Sequence, residues 1–315
     1  MTQQVEIIVR LSFFAGMLLI ISVWELAAPR RRLAATKIPR WTSNLGLVAL
    51  NTVAVRLLIP VTAVAAAIFA ESRGWGLLHL VDWPSWLEVV LAVLAFDLAI
   101  YLQHVMFHAV PALWRLHMVH HADLDFDVTT GLRFHTVEIL LSALIKLAVV
   151  VVIGPAALAV VIFEVLLNAT AMFNHSNVQI PARVDMLLRW FVVTPDMHRV
   201  HHSVIRRETN SNFGFNLPWW DFVLGTYRAQ PAMGHEGMTI GITSLRDESR
   251  VDRLPGMLLL PFESNPGPYA INRQDDQPSI GDTRMATDST STSSPAPEAN
   301  ANAQQSVNPM DRLRK

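Results

Sequence analysis

Closely spaced histidines are the residues of this chain best suited to chemistry. The pattern His-x-x-His-His occurs twice, and its six histidines are His117, His120, His121, His198, His201 and His202. Ahead of the first copy, His104 and His108 stand four positions apart. On a helix, side chains at positions i, i+3 and i+4 share one face, and imidazole nitrogens bind zinc, iron, copper and nickel. The spacing therefore predicts histidines gathered around metal rather than scattered over a surface.

The number of histidines exceeds what one metal ion uses. Ten of the twelve lie in one stretch, and they are His104, His108, His117, His120, His121, His135, His175, His198, His201 and His202. A catalytic zinc usually takes three protein ligands and a structural zinc takes four, so a set of this size indicates two ions. The other two, His79 and His235, are interpreted as structural or surface residues.

The composition limits the other possible ligands and partners. The chain has 315 residues and no cysteine, which excludes disulfides, iron–sulfur clusters and thiolate metal sites. Its net charge of −1 argues against nucleic acid as a partner. The chain is 51% hydrophobic and only 16% charged, whereas soluble proteins average about 25% charged residues. These values indicate a membrane protein.

Apolar runs long enough to cross a bilayer must position the histidines. They cover residues 11–28, 45–70, 86–107 and 139–172, and about 20 residues span the hydrocarbon core. Arg56 and Pro60 interrupt the second run, and Gly154-Pro155 divides the last one into a hairpin. We predict an all-α integral membrane bundle of about four spans, including this hairpin, with a histidine-rich cap on its cytosolic side.

Positive residues set the expected orientation. Arginines and a lysine follow the first apolar run at residues 30–40, which by the positive-inside rule places the amino terminus outside and the histidines at the cytoplasmic face. Residues 182–193 mix Arg, Asp and Trp with Leu and Val, as an interfacial amphipathic helix does. From residue 274 the chain is rich in Ser, Thr, Asn, Gln, Ala and Pro, and this composition predicts a disordered tail.

Polar residues inside the apolar runs share helix faces with histidines. Asp97 and Tyr101 precede His104 at helical spacing, and Glu164 and Asn168 precede His175 in the same way. A carboxylate inside a membrane is costly and usually functional. One interpretation is that these residues support the ring nitrogens that face away from a metal. The other is that Asp97 and Glu164 pair with Arg56 or another helix for packing.

These motifs resemble the fatty acid hydroxylase/sterol desaturase superfamily of membrane di-iron oxygenases, in its bacterial branch. The matching stretches lie between Asp97 and Tyr227 and include "DLAIYLQHVMFHAVPALWRLHMVHH", "TTGLRFHTVE", "FNHSN", "TPDMHRVHHS" and "NSNFGFNLPWWDFVLGTY". The resemblance implies two non-haem irons held by His104, His108, His117, His120, His121, His175, His198, His201 and His202. It leaves His135 as a possible ligand or supporting residue. Asn212 and Asp221 are expected either to orient ligands or to form caps and turns.

The resemblance also implies an activity. The expected protein is an O2-dependent hydroxylase or desaturase that oxidises an unactivated C–H bond of a lipid, either sterol-like or fatty-acyl. The chain has no G-x-G-x-x-G loop and no haem-attachment motif, so we expect an external electron donor such as a ferredoxin, cytochrome or reductase. Arg206 and Arg207 are candidates to meet an acidic donor or to contact lipid headgroups. The expected location is a bacterial inner membrane.

The resemblance divides the chain into four parts. Residues 1–85 are N-terminal transmembrane helices, residues 86–235 the di-iron domain, residues 236–273 a C-terminal extension and residues 274–315 the tail. Three other interpretations stay open: a zinc hydrolase, a histidine-rich metal-binding or transport protein without oxygenase activity, and a bis-histidine haem protein. The first would be expected to carry H-E-x-x-H, which the sequence lacks.

Overall fold

The apolar runs fold into long helices that form one bundle. In this computed structural model, which describes residues 3–263 and 267–271, the first part of the chain contains α1 (Gln3–Ala27), α2 (Lys37–Leu58), α3 (Ala63–Ser72), α4 (Ser85–Ala109), α5 (Pro111–His121), α6 (Thr136–Ile153) and α7 (Ala157–Asn174). Short 3-10 helices cover Leu77–Leu80 and Thr130–Leu132. Phe96 of α4 stacks on Phe163 of α7 with ring centroids 4.9 Å apart, which joins the two helices in the bundle core.

Short helices form a cap over one end of the bundle. They are α8 (Ala182–Leu188), α9 (Pro195–His201), α10 (Arg206–Thr209), α11 (Trp219–Leu224), α12 (Gly234–Gly237), α13 (Glu248–Val251) and α14 (Leu254–Glu263), followed by a 3-10 helix at Gly267–Tyr269. Between residues 3 and 271, the described part of the chain contains isolated β-bridges but no named strand. The predicted all-α class is therefore confirmed.

Among the described residues, five segments are long and apolar enough to cross a membrane: Ile7–Ala27, Lys37–Leu80, Ser85–Ala109, Thr136–Ile153 and Ala157–Asn174. Large apolar side chains on them face outward, as at Leu11, Leu19 and Leu57, which are 63%, 64% and 76% exposed. Exposed apolar surface of this extent is stable in lipid and not in water. The chain is therefore a multi-pass membrane protein, as predicted.

The two predicted interruptions have different structural outcomes. Pro60 separates α2 from α3, and the Thr62 hydroxyl accepts a hydrogen bond from the Ala65 amide at 3.1 Å to begin α3. Gly154 ends α6 in the left-handed conformation, at φ 65°. A side chain at this position would overlap the carbonyl of Trp75. Glycine is thus required for the hairpin turn.

Buried ion pairs and hydrogen bonds tie α1 and α2 to the loops that follow α5 and α7. Arg40 of α2 donates to Asp123 at 2.9 Å and also binds Asp127, and all three side chains are fully buried. Glu25 of α1 accepts hydrogen bonds from the amides of Val128 and Asn177, at 2.8 and 2.7 Å. These contacts fix the loop that follows the first histidine triplet. The nearby cationic side chains of Arg40 and Arg133 outweigh burial and lower the pKa of the Asp123 carboxyl.

Two predictions concern the ends of the cap. Residues 182–193 contain α8, which is only seven residues long, and Leu187, Trp190 and Phe191 of this segment are more than 60% exposed. The predicted tail at residues 274–315 lies outside the described residues. All described residues belong to one compact unit, and the domain boundaries at residues 85 and 235 stay predictions.

Candidate metal centre

Nine buried histidines converge where the bundle meets the cap, and they form two groups. The first group is His104, His108, His117, His121 and His201, and the second is His120, His175, His198 and His202. Within each group, one ligand nitrogen from every residue lies within 4.8 Å of the others. The nine are the histidines whose convergence the sequence predicts, and His135 is in neither group.

Each histidine triplet is divided between the two groups. In α5, His117 and His121 face the first group while His120 faces the second. In and just after α9, the order is reversed, since His198 and His202 belong to the second group and His201 to the first. Each triplet thus gives one group an i, i+4 pair and the other a single imidazole. The repeated motif contributes to both groups from opposite sides.

Ring nitrogens from different segments approach each other closely. The Nε2 atoms of His104 and His201 are 3.0 Å apart, and those of His108 and His121 are 3.1 Å apart. In the second group, His175 Nε2 lies 3.1 Å from His120 Nε2 and 3.0 Å from His198 Nε2. Nitrogens about 2.1 Å from one ion lie about 3 Å apart when they subtend a right angle. These separations suit ligands of a shared metal.

The outward nitrogens of most of these histidines are held by hydrogen bonds. The Nδ1 partners are Phe213 O (2.9 Å) for His104, Asn210 Oδ1 (3.0 Å) for His108, Glu138 Oε1 (2.7 Å) for His117, Arg133 O (3.1 Å) for His120, Ala171 O (2.8 Å) for His175 and Ser211 O (2.7 Å) for His201. An Nδ1–H that donates outward leaves the Nε2 lone pair pointing inward. Such support is typical of metal-ligating histidines.

Several ring nitrogens of these histidines have no hydrogen-bond partner among the described residues. Both ring nitrogens of His202 and Nε2 of His117 are buried in this way. A buried polar atom without a partner costs about 1–3 kcal/mol, and a metal ion would remove that cost. The donor set consists only of imidazole, which suits iron, zinc, copper and nickel. The residues of both groups are therefore compatible with metal binding.

The electrostatics keep the site in its ligand form. Burial, reinforced by neighbouring histidines, lowers the pKa of His120, His121 and His198 well below the usual histidine range. Burial also lowers the pKa of His175 to about 3. These imidazoles are therefore neutral at physiological pH, and neutral imidazole is the form that binds metal.

Three of the predicted supporting residues support the histidines indirectly, through the loop that contains Phe213. Asp97 accepts hydrogen bonds from the Leu217 amide and from Trp220 Nε1, at 3.3 and 2.8 Å. Asp221 accepts from the amides of Phe213 and Gly214, both at 2.8 Å. These carboxylates fix the loop whose Phe213 carbonyl binds His104. Tyr101 also contacts this region through Thr226 Oγ1, at 2.8 Å, so the predicted direct contacts to imidazole are replaced by contacts to the loop.

Glu164 and Asn168 lie away from the histidines. Glu164 forms ion pairs with Lys146 of α6 and Arg10 of α1, and the Asn168 amide donates to the Glu164 carbonyl at 2.7 Å. The predicted hydrogen bonds from these residues to imidazole are therefore not made. Pairing between helices, the other interpretation of Glu164, is what the structure contains, although the partners are not Arg56.

The remaining histidines have other contacts. His135 accepts a hydrogen bond from the Val137 amide at 3.2 Å and so caps α6, while its Nε2 lies 3.3 Å from the Leu258 carbonyl. Both of its ring nitrogens are thereby used, so its geometry is that of a helix cap rather than a ligand. His235 Nε2 lies 3.6 Å from Asp196. His79 belongs to a 3-10 helix near the hairpin turn.

Two side chains that the sequence does not single out hold ligand candidates directly. Glu138 binds His117 from the first turn of α6, and Asn210 binds His108 from the end of α10. The only sequence signal for Glu138 is a carboxylate at the start of an otherwise apolar helix. Asn212, which the resemblance mentions, adopts a left-handed conformation at φ 53°. Its amide donates to the carbonyls of Met197 and Arg228, each at 2.8 Å, as a turn residue does.

A cavity of about 500 Å³ reaches the histidines from within the bundle. His104, His117 and His120 lie on its wall beside Phe107 and Phe134. Its volume is within the range of about 300–1,000 Å³ usual for ligand sites. The cavity gives an apolar molecule access to both histidine groups.

Glu138→Gln is expected to weaken metal binding about 10- to 100-fold, because loss of a carboxylate behind a ligating histidine has that effect. The amide keeps the shape but removes the charge that holds His117 Nδ1–H. Iron retained per chain after dialysis against a chelator measures the change. Glu88→Gln is the matched control. Glu88 lies in the first turn of α4, at the end of this helix away from His104 and His108, and accepts a hydrogen bond from the Ala156 amide at 3.0 Å. Equal iron retention in wild type and Glu138→Gln would contradict the role given to Glu138.

Comparisons with known proteins agree with this geometry. The ornithine lipid hydroxylase of Rhizobium tropici is 31% identical over 164 residues, which is 51% of this chain and 47% of that protein. The human alkylglycerol monooxygenase is 29% identical over 51% of this chain and 34% of its own length. The rat cholesterol 25-hydroxylase is 27% identical over 46% of this chain and 48% of its own length. The matches thus span about half or less of each relative, and no solved structure matches the chain significantly.

A family comparison covers the region that holds the candidate site. Residues 89–226 match the model of the family described as fatty acid hydroxylase. The matched segment contains both histidine groups, the loop at Phe213 that supports His104, and the supporting Glu138 and Asn210. Residues 89–226 of this multi-pass membrane protein are therefore a fatty acid hydroxylase domain.

Proposed function

We propose that this protein is a membrane-bound, O2-dependent lipid hydroxylase that works with two non-haem irons. The observation that carries the proposal is the convergence of nine buried imidazoles, in two groups, on a cavity that lies among the membrane-spanning helices. One group of His104, His108, His117, His121 and His201 would hold one ion, and His120, His175, His198 and His202 would hold the other. Both the ligand assignment and the metal identity are part of the proposal.

The chain's own residues perform three tasks in this proposal. The buried imidazoles provide nitrogen ligands, and the contacts to Glu138 and Asn210 fix the orientation of His117 and His108. The walls at Phe107 and Phe134 exclude water and hold an apolar chain beside the histidines. The absence of cysteine leaves no thiolate near the site that an oxidant would consume. When bound, the irons would supply, with O2 and electrons, the oxidising power needed to break an unactivated C–H bond.

The relatives' names support a lipid substrate and hydroxylation. The three proteins are named as a hydroxylase of ornithine lipid, a monooxygenase of alkylglycerol and a hydroxylase of cholesterol. The names describe insertion of oxygen, which favours hydroxylation over desaturation for this chain. They differ in substrate, so the lipid class must come from the shape and charge of the cavity.

We further propose that electrons enter from another protein, as expected from the sequence. We place the donor on the cap, which we take to face the cytoplasm. Arg207 is exposed on α10, whereas Arg206 donates to the Ala270 carbonyl at 3.0 Å. Arg207 is therefore the more available of the two for an acidic donor.

Metal analysis combined with isotope labelling tests the proposal. Purified protein loaded with iron is expected to contain two irons per chain, and cells that express it under ¹⁸O2 are expected to accumulate a lipid that carries one ¹⁸O atom. A purified protein that selects zinc and exchanges it across vesicles, with no labelled lipid, would instead support the metal-transport interpretation. A Soret band would support the haem interpretation.

A further inference from the structure

Charged side chains line the cavity at a distance from the histidines. Glu164 of α7 is bound on one side by Lys146 of α6 and on the other by Arg10 of α1, and all three residues line the cavity. We call these three residues the charged group. Arg56 of α2 lines the same cavity. The charged group is not used in the proposed metal site or in its support.

Helix geometry places the charged group inside the membrane-spanning region. Lys146 follows Glu138, the partner of His117, by eight positions on α6, which corresponds to about 12 Å at 1.5 Å per residue. Glu164 precedes His175 by eleven positions on α7, which corresponds to about 16 Å. Lys146 and Glu164 therefore lie about 12–16 Å along their helices from Glu138 and His175, well within the spanning helices.

A buried ion pair alone does not account for the composition of this end of the cavity. Charged residues within a membrane are costly and are usually retained for function. Away from Glu138 and the histidines, three lining residues are cationic and one is anionic. The Glu164 side chain is only 10% exposed, whereas those of Lys146 and Arg10 are 28% and 29% exposed. The carboxylate is thus covered, while the two cations, which also line the cavity, keep exposed surface.

The space between the two ends is suited to a hydrocarbon chain. Ile100, Phe107, Leu132, Phe134, Ile139 and Leu167 line it. A molecule that fits this cavity has a negative group at one end and an apolar chain that extends toward the histidines. A neutral sterol would satisfy the apolar walls but would not balance the excess of cationic over anionic lining residues at this end.

We propose that the cations of the charged group, Arg10 and Lys146, together with Arg56 bind the anionic head of an amphipathic lipid, carboxylate or phosphate, and so present a mid-chain carbon to the histidine site. This inference rests on the proposed function for its account of what happens to that carbon. The binding itself requires only the cavity. The distance from head to histidines determines which carbon is presented.

Binding of three probes to the iron-loaded protein under anaerobic conditions tests this subsite. The probes are palmitate, hexadecyl phosphate and methyl palmitate, and the protein is held in phosphatidylcholine nanodiscs. A charged hydrogen bond exceeds a neutral one by about 1.4 kcal/mol, so wild type is expected to prefer an anionic probe to the ester about tenfold. The anionic probe that binds more tightly identifies the head as carboxylate or phosphate, and equal binding assigns both.

Two substitutions should change this preference in opposite directions. Lys146→Met removes a cation and is expected to reduce the preference for the anionic probe about tenfold. Glu164→Gln removes the competing carboxylate, keeps its shape and is expected to increase the preference. Lys37→Met is the matched control, because Lys37 lies over the Trp41 ring on α2 and does not line the cavity. Comparing variants with wild type cancels the different partitioning of the probes into the bilayer.

A purely structural ion pair would behave differently. Both substitutions would then lower the binding of all three probes together, with no change in preference, and that result would overturn the subsite. So would a wild type that binds the ester as tightly as both anionic probes. If Lys146→Met fails to fold, the increase in preference for the anionic probe expected for Glu164→Gln still tests whether the subsite binds an anionic head. If the protein prefers an anionic probe to the ester but incorporates no ¹⁸O into lipid, the result counts against the proposed function alone. If it produces labelled lipid but shows no preference for an anionic probe, the result counts against the subsite alone.

Discussion

His120→Ala is expected to remove about one iron per chain and to lower turnover at least about 100-fold, since even the loss of a residue that supports a ligand costs up to that much. His120 belongs to the group of four histidines, so its loss leaves three. Its Nε2 lies 3.1 Å from that of His175, and its Nδ1 contacts the Arg133 carbonyl at the same distance. No other histidine of the first triplet reaches this group.

His201→Ala is expected to lower the metal content less than His120→Ala does. His201 belongs to the group of five, so its loss leaves four nitrogen donors, which is enough to retain an ion. We therefore expect iron content to fall less than in His120→Ala, whereas turnover falls as far because a ligand of the reacting centre has changed. Metal analysis beside ¹⁸O incorporation separates the two effects.

His79→Ala is the matched control for both variants. His79 lies outside the two histidine groups, so wild-type iron content and turnover are expected. All three proteins should still insert into membranes. Full activity in either His120→Ala or His201→Ala would show that the division into two groups does not describe the metal ligands.

The histidine spacing was sufficient to predict convergence but not the division of the triplets. The i, i+3 and i+4 rule places His117, His120 and His121 on one side of α5. It does not show that His120 turns toward His175 while its neighbours turn toward His104 and His201. That choice depends on how α5, α7 and α9 cross, and the crossing is a tertiary property. The two-ion hypothesis therefore came from the number of histidines, and the two groups from the structure.

The supporting residues were harder to predict for a related reason. The sequence places Asp97 and Glu164 on the same helix stripes as histidines, yet their partners are the loop at Leu217 and the cations of α1 and α6. Glu138 supports His117 from a different helix, so no spacing within one helix indicates the pair. His135 is the opposite case, a histidine near the predicted ligands that caps a helix instead. The sequence alone does not distinguish a histidine that caps a helix from one that binds metal.

The membrane helices were the most predictable feature. Their apolar runs, and the breaks at Pro60 and Gly154, follow from local properties of the chain. The buried polar loop between α5 and α6 could not be recognised in this way. Nothing in the spacing of Asp123 and Asp127 indicates that they are buried. The structure places Arg40 of α2 between them, and this contact fixes the loop against α2. This loop carries Arg133, whose carbonyl holds His120.

The same loop contains a glycine that allows it to approach α7 closely. Gly131 lies in the 3-10 helix Thr130–Leu132. A methyl group at this position would overlap the Ala171 carbonyl oxygen and lie 3.0 Å from His175 Nδ1. These two atoms form the hydrogen bond of 2.8 Å that orients His175. The loop has little freedom to withdraw, because Thr130 donates to Asp123 at 2.8 Å.

Gly131→Ala is therefore expected to displace His175, to empty the four-histidine group of iron, and to destabilise the protein by about 1–3 kcal/mol, the usual cost of overpacking a core. Iron per chain and the thermal unfolding midpoint in detergent measure the two effects. Gly16→Ala is the matched control, since a methyl group there meets no atom within 4 Å, and alanine favours a helix interior by up to about 1 kcal/mol over glycine. A Gly131→Ala protein that keeps two irons and wild-type turnover would show that the loop and α7 are not held this closely around His175.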